Sequence, residues 1–139
     1  ANKGSLIFIS SLAGIRGLPG LSAYCSSKMA LRAIAESIRI EEAESGLHVG
    51  LIQVGITEIE HAKQTVGPDG KLMTINDRSK FKVMPMENVA QAIVKNIKKR
   101  KFVTTLTGIG KLNATMQSVL PGLVEKVLIR SIDKIKKRS

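Results

Sequence analysis

Two short apolar segments separated by one long helical segment constrain the fold of this chain most. Residues 5–10 and 48–54 are runs rich in aliphatic side chains, a pattern typical of strands that are buried on both faces of a parallel sheet. Between them, from Ala23 to Ser45, apolar positions recur with a helical period, and Gly46 is a natural helix stop. Strand, helix and strand make a βαβ unit with parallel strands. The chain is therefore predicted to be an α/β protein.

The segments that follow extend this unit to a sheet of about three strands. A further helix is predicted to open at residues 85–87, and a third strand is predicted at residues 102–106, ended by two glycines. Residues 55–83 have no strong pattern and are predicted to form a lid, because ligands bind beyond the carboxyl ends of parallel strands. The helix that follows the lid is predicted to bury a stripe of Val89, Ala90, Ile93, Val94 and Ile97.

Residues 111–139 form a basic tail of two amphipathic helical pieces divided by Pro121 and Gly122. Such a tail can pack on the domain or on a partner subunit, cap a substrate pocket, or lie on an anionic membrane surface. The chain carries a net charge of +11, but no aromatic residues interleave the basic runs, so we expect no nucleic-acid partner. The apolar stripe of the tail consists of Leu112, Met116, Val119, Leu120, Leu123, Val127, Leu128 and Ile132.

The cysteine and histidine content limits the chemistry that the chain can perform. A single cysteine excludes an internal disulfide framework and a cysteine-based zinc site, and we expect no bound metal. Cys25 is predicted to be a small packed side chain rather than a nucleophile. We expect a cytoplasmic protein, with membrane association through the tail as the alternative.

Tyr24 and Lys28 are four residues apart at the start of the long helix and therefore share one helix face. A phenol ordinarily titrates at a pH of about 10, and both a neighbouring ammonium and a helix N-terminus favour its ionised form. Ser11 lies at the carboxyl end of the first strand, where its hydroxyl could meet a bound carbonyl. A serine and a tyrosine donor would together stabilise an alkoxide-like oxygen. The Tyr-x-x-x-Lys spacing alone is equally explained by a surface pair, so the surrounding βαβ unit carries the prediction.

The segment from Ser11 to Lys28 and the βαβ unit around it resemble the short-chain dehydrogenase/reductase family. Ser11 stands thirteen residues before Tyr24, which is the usual spacing in that family, and residues 26–30 are similar to its Ser-Lys-x-Ala motif. The resemblance covers residues 3–110. Three further segments are similar to the family's next strand and turn, its Pro-Glu-Glu-Val-Ala helix start and its last strand: residues 47–55, 84–90 and 102–106.

The resemblance implies a fold, a cofactor and a set of roles. Residues 1–110 are expected to be the C-terminal portion of a Rossmann-like, doubly wound parallel sheet, and residues 111–139 a helical tail. Ser11 would hold the substrate carbonyl, Tyr24 would pass the proton, and Lys28 would assist the tyrosine and bind the nicotinamide ribose. We expect NAD(P)(H), with NADP favoured, to be bound by Tyr24, Lys28, Gly55, Ile56 and Thr57.

The same resemblance implies partners. The substrate is expected to be a small molecule with a carbonyl or alcohol group, and the apolar tail and the lid favour a hydrophobic one. A homo-oligomer is expected, built partly on the long helix.

Two departures from the family pattern qualify these expectations. The Gly-rich phosphate loop, Thr-Gly-x-x-x-Gly-x-Gly, occurs nowhere in the sequence, so we expect the N-terminal cofactor-binding half of the domain to be absent from this chain. Val54 replaces a proline and Ile59 stands where a threonine usually contacts the nicotinamide amide, although Thr57 could substitute. The alternative is a catalytically inactive truncated fragment that acts only as an association or membrane-surface module.

Overall fold

The structure is a computed structural model, and it describes residues 4–58, 64–66, 69–74 and 83–136. Among the described helices, none combines the length and apolar character that crossing a bilayer requires. The elements in chain order are β1 Ser5–Ser11, a 3-10 helix Leu12–Gly14, α1 Ser22–Glu41, β2 His48–Val54, β3 Gln64–Val66, β4 Leu72–Thr74, α2 Met86–Lys99, β5 Val103–Thr105, α3 Gly108–Val119 and α4 Pro121–Lys136.

A parallel sheet with the strand order β1-β2-β5 organises the described residues, which confirms the predicted α/β fold and the βαβ unit. Ser11 pairs with Val54, and Gln53 pairs with Thr105, so the three strands end at the same edge. The central strand β2 is buried along its whole length. The sheet therefore presents three carboxyl ends side by side, each followed by a loop.

Strand β1 is less buried than its apolar sequence predicts. Leu6 is 38% exposed and Ile9 is 42% exposed, whereas Ser10 at its end is buried. The reason is its position, because within the described residues β1 pairs with β2 alone and is an edge strand of this sheet. The expectation of burial on both faces is correct for β2 and wrong for β1.

Helix α1 differs from its predicted bounds at the C-terminal end. It ends at Glu41 rather than Ser45, and a turn with Gly46 at a φ of 79° leads into β2. Glutamates crowd this region, and negative charge at a helix C-terminus opposes the helix dipole. Ser22 is the first helical residue rather than the N-cap, and Leu21 occupies the N-cap without a side-chain hydrogen bond.

Helix α2 begins where predicted, but its buried side is rotated from the predicted stripe. Ala90, Val94 and Ile97 are exposed, and Asn96 is fully buried instead. The Asn96 amide has two hydrogen-bond partners there. Its Oδ1 lies 3.0 Å from His48 Nε2, and its Nδ2 donates to Thr104 Oγ1 at 2.8 Å. Because both partners satisfy the amide, Asn96 can occupy the buried side of α2.

The remaining segments fit the predictions only in part. Strands β3 and β4 form an antiparallel hairpin within the predicted lid, where no strands were predicted. Of residues 59–82, the structure describes 64–66 and 69–74. The two glycines expected to end the third strand, Gly108 and Gly110, instead begin α3, which Thr107 caps through its hydroxyl. The tail is two helices divided at Pro121, as predicted.

Candidate active site

Ser11 occupies the carboxyl end of β1, at the edge where the parallel strands stop. Its hydroxyl oxygen accepts a hydrogen bond from the Ala13 backbone N–H at 3.2 Å and thereby caps the 3-10 helix that follows. This bond uses an oxygen lone pair and leaves the hydroxyl proton for another acceptor. The local turn therefore fixes the position of the Ser11 hydroxyl while preserving its capacity to donate.

The adjacent Ser10 has a structural role. Its buried hydroxyl donates to the Lys28 backbone carbonyl at 2.9 Å and so joins the end of β1 to α1. Gly14 lies against the same junction, because a Cβ placed there would come within 2.9 Å of the Lys28 carbonyl oxygen. Ser10 thus joins the strand to the helix, whereas Ser11 lies at the end of the strand.

Tyr24 and Lys28 lie on the first two turns of α1. Tyr24 is 41% exposed, and the Lys28 ammonium lies 5.8 Å from the centre of its ring. The same ammonium donates to the Ile9 carbonyl oxygen at 3.4 Å, two residues before Ser11. Lys28 is therefore close both to the phenol and to the strand that carries the serine. Cys25, beside Tyr24, is buried, as the sequence predicted.

The turn after β2 carries Gly55, Ile56 and Thr57. The Met84 N–H donates to the Ile56 carbonyl oxygen, and the Glu58 N–H donates to the Met84 carbonyl oxygen, both at 2.9 Å. Thr57 is consequently paired with Met84 in a parallel bridge. The bridge joins the two ends of the predicted lid at its base. Ile59, the altered position of the family pattern, lies outside the described residues.

The loops that follow the three parallel strands touch one another. A Cβ on Gly55 would lie 3.1 Å from Thr107 Cγ2 and 3.7 Å from Leu12 Cδ1. A Cβ on Gly110 would collide with the Leu12 side chain. Gly55 and Gly110 thus allow the three loops to pack closely at the carboxyl edge. In open α/β sheets, ligands bind at this edge.

Two buried polar contacts of β2 were not predicted from the sequence, one at this carboxyl edge and one at the opposite, amino end of the strand. Thr105 Oγ1 donates to Gln53 Oε1 at 2.8 Å, and Gln53 is fully buried. His48 begins the same strand and contacts Asn96. The available signal was the pair of polar residues that interrupt the apolar run of β2, since buried polar side chains almost always have hydrogen-bond partners.

Known proteins with similar sequences are dehydrogenases and reductases. The family described as short chain dehydrogenase matches residues 1–69. Dehydrogenase/reductase SDR family member 7B of Danio rerio is 29% identical over 127 residues, which are 91% of this chain and 41% of that protein. The 3-ketodihydrosphingosine reductase of Dictyostelium discoideum is 33% identical over 96 residues, 68% of this chain and 28% of that protein. The chain therefore spans less than half the length of these relatives.

Solved structures share the fold at low sequence identity. A short-chain dehydrogenase from Burkholderia cenocepacia, in complex with NADP, aligns with a TM-score of 0.70 at 14% identity, over 89% of this chain and 48% of that one. A 4-hydroxyisoleucine dehydrogenase complexed with NADH aligns with a TM-score of 0.52 at 20% identity, over 74% of this chain and 45% of that one. The solved structures share the fold, and the family match and the sequence relatives show that the chain belongs to the short-chain dehydrogenase/reductase family.

Proposed function

We propose that this chain supplies the acid–base residues of an NAD(P)-dependent oxidoreductase that interconverts a carbonyl and a secondary alcohol. The observation that supports this proposal most directly is the position of Lys28. Its ammonium lies 5.8 Å from the Tyr24 ring and bonds the carbonyl of Ile9, on the strand that ends in Ser11. These two contacts of Lys28 support a site in which a hydroxyl donor, a phenol and a cation act together at the carboxyl edge of the sheet.

Tyr24, Ser11 and Lys28 have different roles in this mechanism. In the direction of reduction, Tyr24 donates its phenolic proton to the carbonyl oxygen, while the Ser11 hydroxyl donates a hydrogen bond to the same oxygen. Lys28 stabilises the phenolate that remains. In the direction of oxidation, the phenolate takes the proton of the alcohol. A bound nicotinamide supplies the hydride that reaches the carbonyl carbon, or accepts it in the reverse direction.

The residues of this edge fit a nicotinamide nucleotide. An exposed phenol and a half-buried ammonium one helical turn apart are suitable donors for ribose hydroxyls. Gly55 follows β2 where its missing side chain keeps the turn tightly packed against Thr107. We propose that Tyr24, Lys28 and the turn of Gly55, Ile56 and Thr57 hold this end of the cofactor. We favour NADP(H), which the similar Burkholderia dehydrogenase binds.

We also propose a hydrophobic carbonyl substrate. Leu21, directly before α1 and three residues from Tyr24, is an exposed large apolar side chain beside the candidate site. The name of the similar Dictyostelium protein specifies a long-chain keto compound, 3-ketodihydrosphingosine. Apolar surface near the site would contribute to binding in proportion to the substrate surface that it removes from water.

Substitution of Tyr24 by phenylalanine tests the mechanism in the natural full-length protein. We expect Tyr24→Phe to lower kcat for ketone-dependent oxidation of NADPH or NADH by about 10²–10⁴-fold, because the ring remains while the proton donor is lost. Ser37→Ala, an exposed change on the same helix, should leave the rate unchanged. Ketone reduction that survives Tyr24→Phe would contradict the mechanism. A wild-type protein that neither binds nucleotide nor reduces ketones would favour the alternative, an inactive association module.

A homo-oligomer is a second part of the proposal. Helix α1 exposes Met29 and Ile34 on the surface that it does not pack against the sheet. Exposed apolar side chains on a long helix suit a symmetric contact with a second copy. Sedimentation equilibrium of the wild type and of a Met29→Gln/Ile34→Gln variant would test it, with dissociation expected for the variant.

A further inference from the structure

Helix α3 has an apolar side that is largely exposed in the described part of the chain. Ile109 is 75% exposed, Leu112 is 62% exposed and Val119 is 68% exposed. With Met116, these residues follow the spacing i, i+3, i+7 and i+10, which places them on one helix face. Gly110, on a different side of the helix, is the residue that packs against Leu12. Helix α3 is therefore apolar on two sides and buries one of them.

Helix α4 repeats this arrangement with added charge. Leu123 is 47% exposed and Val127 is 58% exposed, and both lie on one side of the helix. Lys126 and Arg130 share that side, because the four residues have the spacing i, i+3, i+4 and i+7. Val124 and Leu128, which point elsewhere, are half-buried. The exposed side of α4 is thus a mixture of aliphatic side chains and long cations.

The charge of this region is strongly one-sided. Glu125 and Asp133 are the acidic residues between positions 108 and 136. The basic residues of the same range are Lys111, Lys126, Arg130, Lys134 and Lys136.

We propose that the exposed sides of α3 and α4 dock on an anionic phospholipid bilayer. Together they make up the α3–α4 face, which consists of Ile109, Leu112, Val119, Leu123 and Val127 with the cations Lys126 and Arg130. Aliphatic side chains that interleave with lysine and arginine suit the boundary between acyl chains and anionic headgroups. Lysine and arginine stems bury their methylene groups there and keep the charge at the headgroups. Docking is a property of the tail helices and does not depend on the proposed oxidoreductase activity.

The same charge argues against a second copy of the chain as the occupant. In a symmetric contact the same patch is present on both partners, so Lys126 and Arg130 of one copy would be brought near the same cations of the other. Like charges that are brought together and partly desolvated in this way are unfavourable. An anionic bilayer instead pairs each cation with an opposite charge, so charge complementarity selects the lipid.

Vesicle co-sedimentation of the full-length protein tests the proposal. We expect the wild type to bind vesicles of phosphatidylcholine with phosphatidylserine and to bind pure phosphatidylcholine vesicles far more weakly. Lys126→Gln/Arg130→Gln should weaken binding to the anionic vesicles roughly 25-fold, about fivefold for each lost cation. Leu112→Ser/Val127→Ser should weaken it by at least about tenfold through lost acyl-chain contact.

The matched control is Lys98→Gln/Lys99→Gln at the end of α2, which removes the same charge from another surface. Its binding should stay within about twofold of the wild type, since distant surface charges are screened. Equal weakening by both charge variants would overturn the proposal, because net charge would then explain binding. A wild type that ignores anionic vesicles, and that forms a dimer which Leu112→Ser/Val127→Ser dissociates, would assign the face to a second copy instead. Circular dichroism of each variant verifies that it is folded.

Discussion

At Gly14 the chain brings two elements so close that a single methyl group does not fit. A Cβ there would lie 2.5 Å from Ser10 Oγ and 2.9 Å from the Lys28 carbonyl oxygen. These two atoms are themselves joined by the hydrogen bond that links the end of β1 to α1. Since Ser11 follows Ser10, and Tyr24 lies one turn before Lys28, this junction holds the strand that carries Ser11 against the helix that carries Tyr24.

We expect Gly14→Ala to destabilise the protein by about 2–4 kcal/mol, combining the cost of overpacking with the loss of the Ser10 hydrogen bond. Urea unfolding of the full-length protein measures this change as a shift of the midpoint. Gly17→Ala is the matched control in the same loop, because a Cβ there meets nothing within 4 Å. If both variants unfolded at the same urea concentration, the junction would not contribute as described.

The serines near the site are evident from the sequence, but the different roles of Ser10 and Ser11 could not be predicted from it. The pair Ser10 and Ser11 is visible in the sequence, and the strand period places the two side chains on opposite faces. Which of the two faces the helix depends on the packing of α1, and the partner of Ser10 is a backbone carbonyl 18 residues away. A sequence pattern does not specify such a contact, since any residue type presents the same carbonyl.

At the scale of elements, periodicity predicted the strands and helices, and tertiary contacts corrected them. The apolar stripe predicted for α2 includes Val94 and Ile97, yet these are exposed. The helix turns Asn96 inward because His48 and Thr104 together satisfy its amide. Hydrophobicity alone ranks asparagine as an outward residue, so only the matching polar partners on β2 and β5 could have predicted the rotation.

This network predicts a large effect for a residue that sequence patterns treat as ordinary. Asn96 is 1% exposed, and Asn96→Ala would leave the buried His48 Nε2 and the half-buried Thr104 Oγ1 without this partner. We expect the free energy of unfolding to fall by about 2–4 kcal/mol, from unpaired polar groups and from the lost volume. Thermal or urea unfolding of the full-length protein would measure it.

An exposed amide on the same helix provides the comparison. Gln91 bonds Glu87 across one turn of α2 at the surface, and Gln91→Ala should change stability by less than about 0.5 kcal/mol. A Gly50→Ala variant adds a second approach to the network, because its Cβ would collide with the Asn96 side chain. Full stability of both Asn96→Ala and Gly50→Ala would show that α2 and β2 are not joined through this contact.

At the scale of the whole molecule, the tail is joined to the loop that follows Ser11. Arg16 Nη1 donates to Gln117 Oε1 at 3.1 Å, and the two residues are 101 positions apart in the sequence. Composition predicts residues 111–139 as a separate tail, whereas α3 begins at Gly108 and spans that boundary. The packing of Leu12 against Gly110 reveals a contact that composition does not encode, because a glycine is required there by the space available.

This long-range contact predicts that a change in the tail loosens the loop beside the candidate site. Gln117→Ala removes the acceptor of Arg16 and leaves α3 itself intact, since alanine is a good helix former. We expect the hydrogen-bonded amides of Ile15 and Leu21 to exchange with solvent roughly fivefold faster, in line with one lost hydrogen bond of about 1 kcal/mol. Hydrogen exchange with mass spectrometry measures this rate for the full-length protein.

The direction of that effect follows from the environment of Arg16. Within the described part of the chain, the Arg16 Nε atom is buried and has no protein hydrogen-bond partner, while Nη1 donates to Gln117 and so holds the guanidinium in this position. In Gln117→Ala, the Arg16 guanidinium can move outward so that water reaches Nε. The loop that follows Ser11 can then move with Arg16. Ser118→Ala, which removes a hydroxyl that donates to the Ala114 carbonyl within α3, should leave the exchange of Ile15 and Leu21 unchanged. Equal rates in the Gln117→Ala and wild-type proteins would show that the tail does not restrain the loop that follows Ser11.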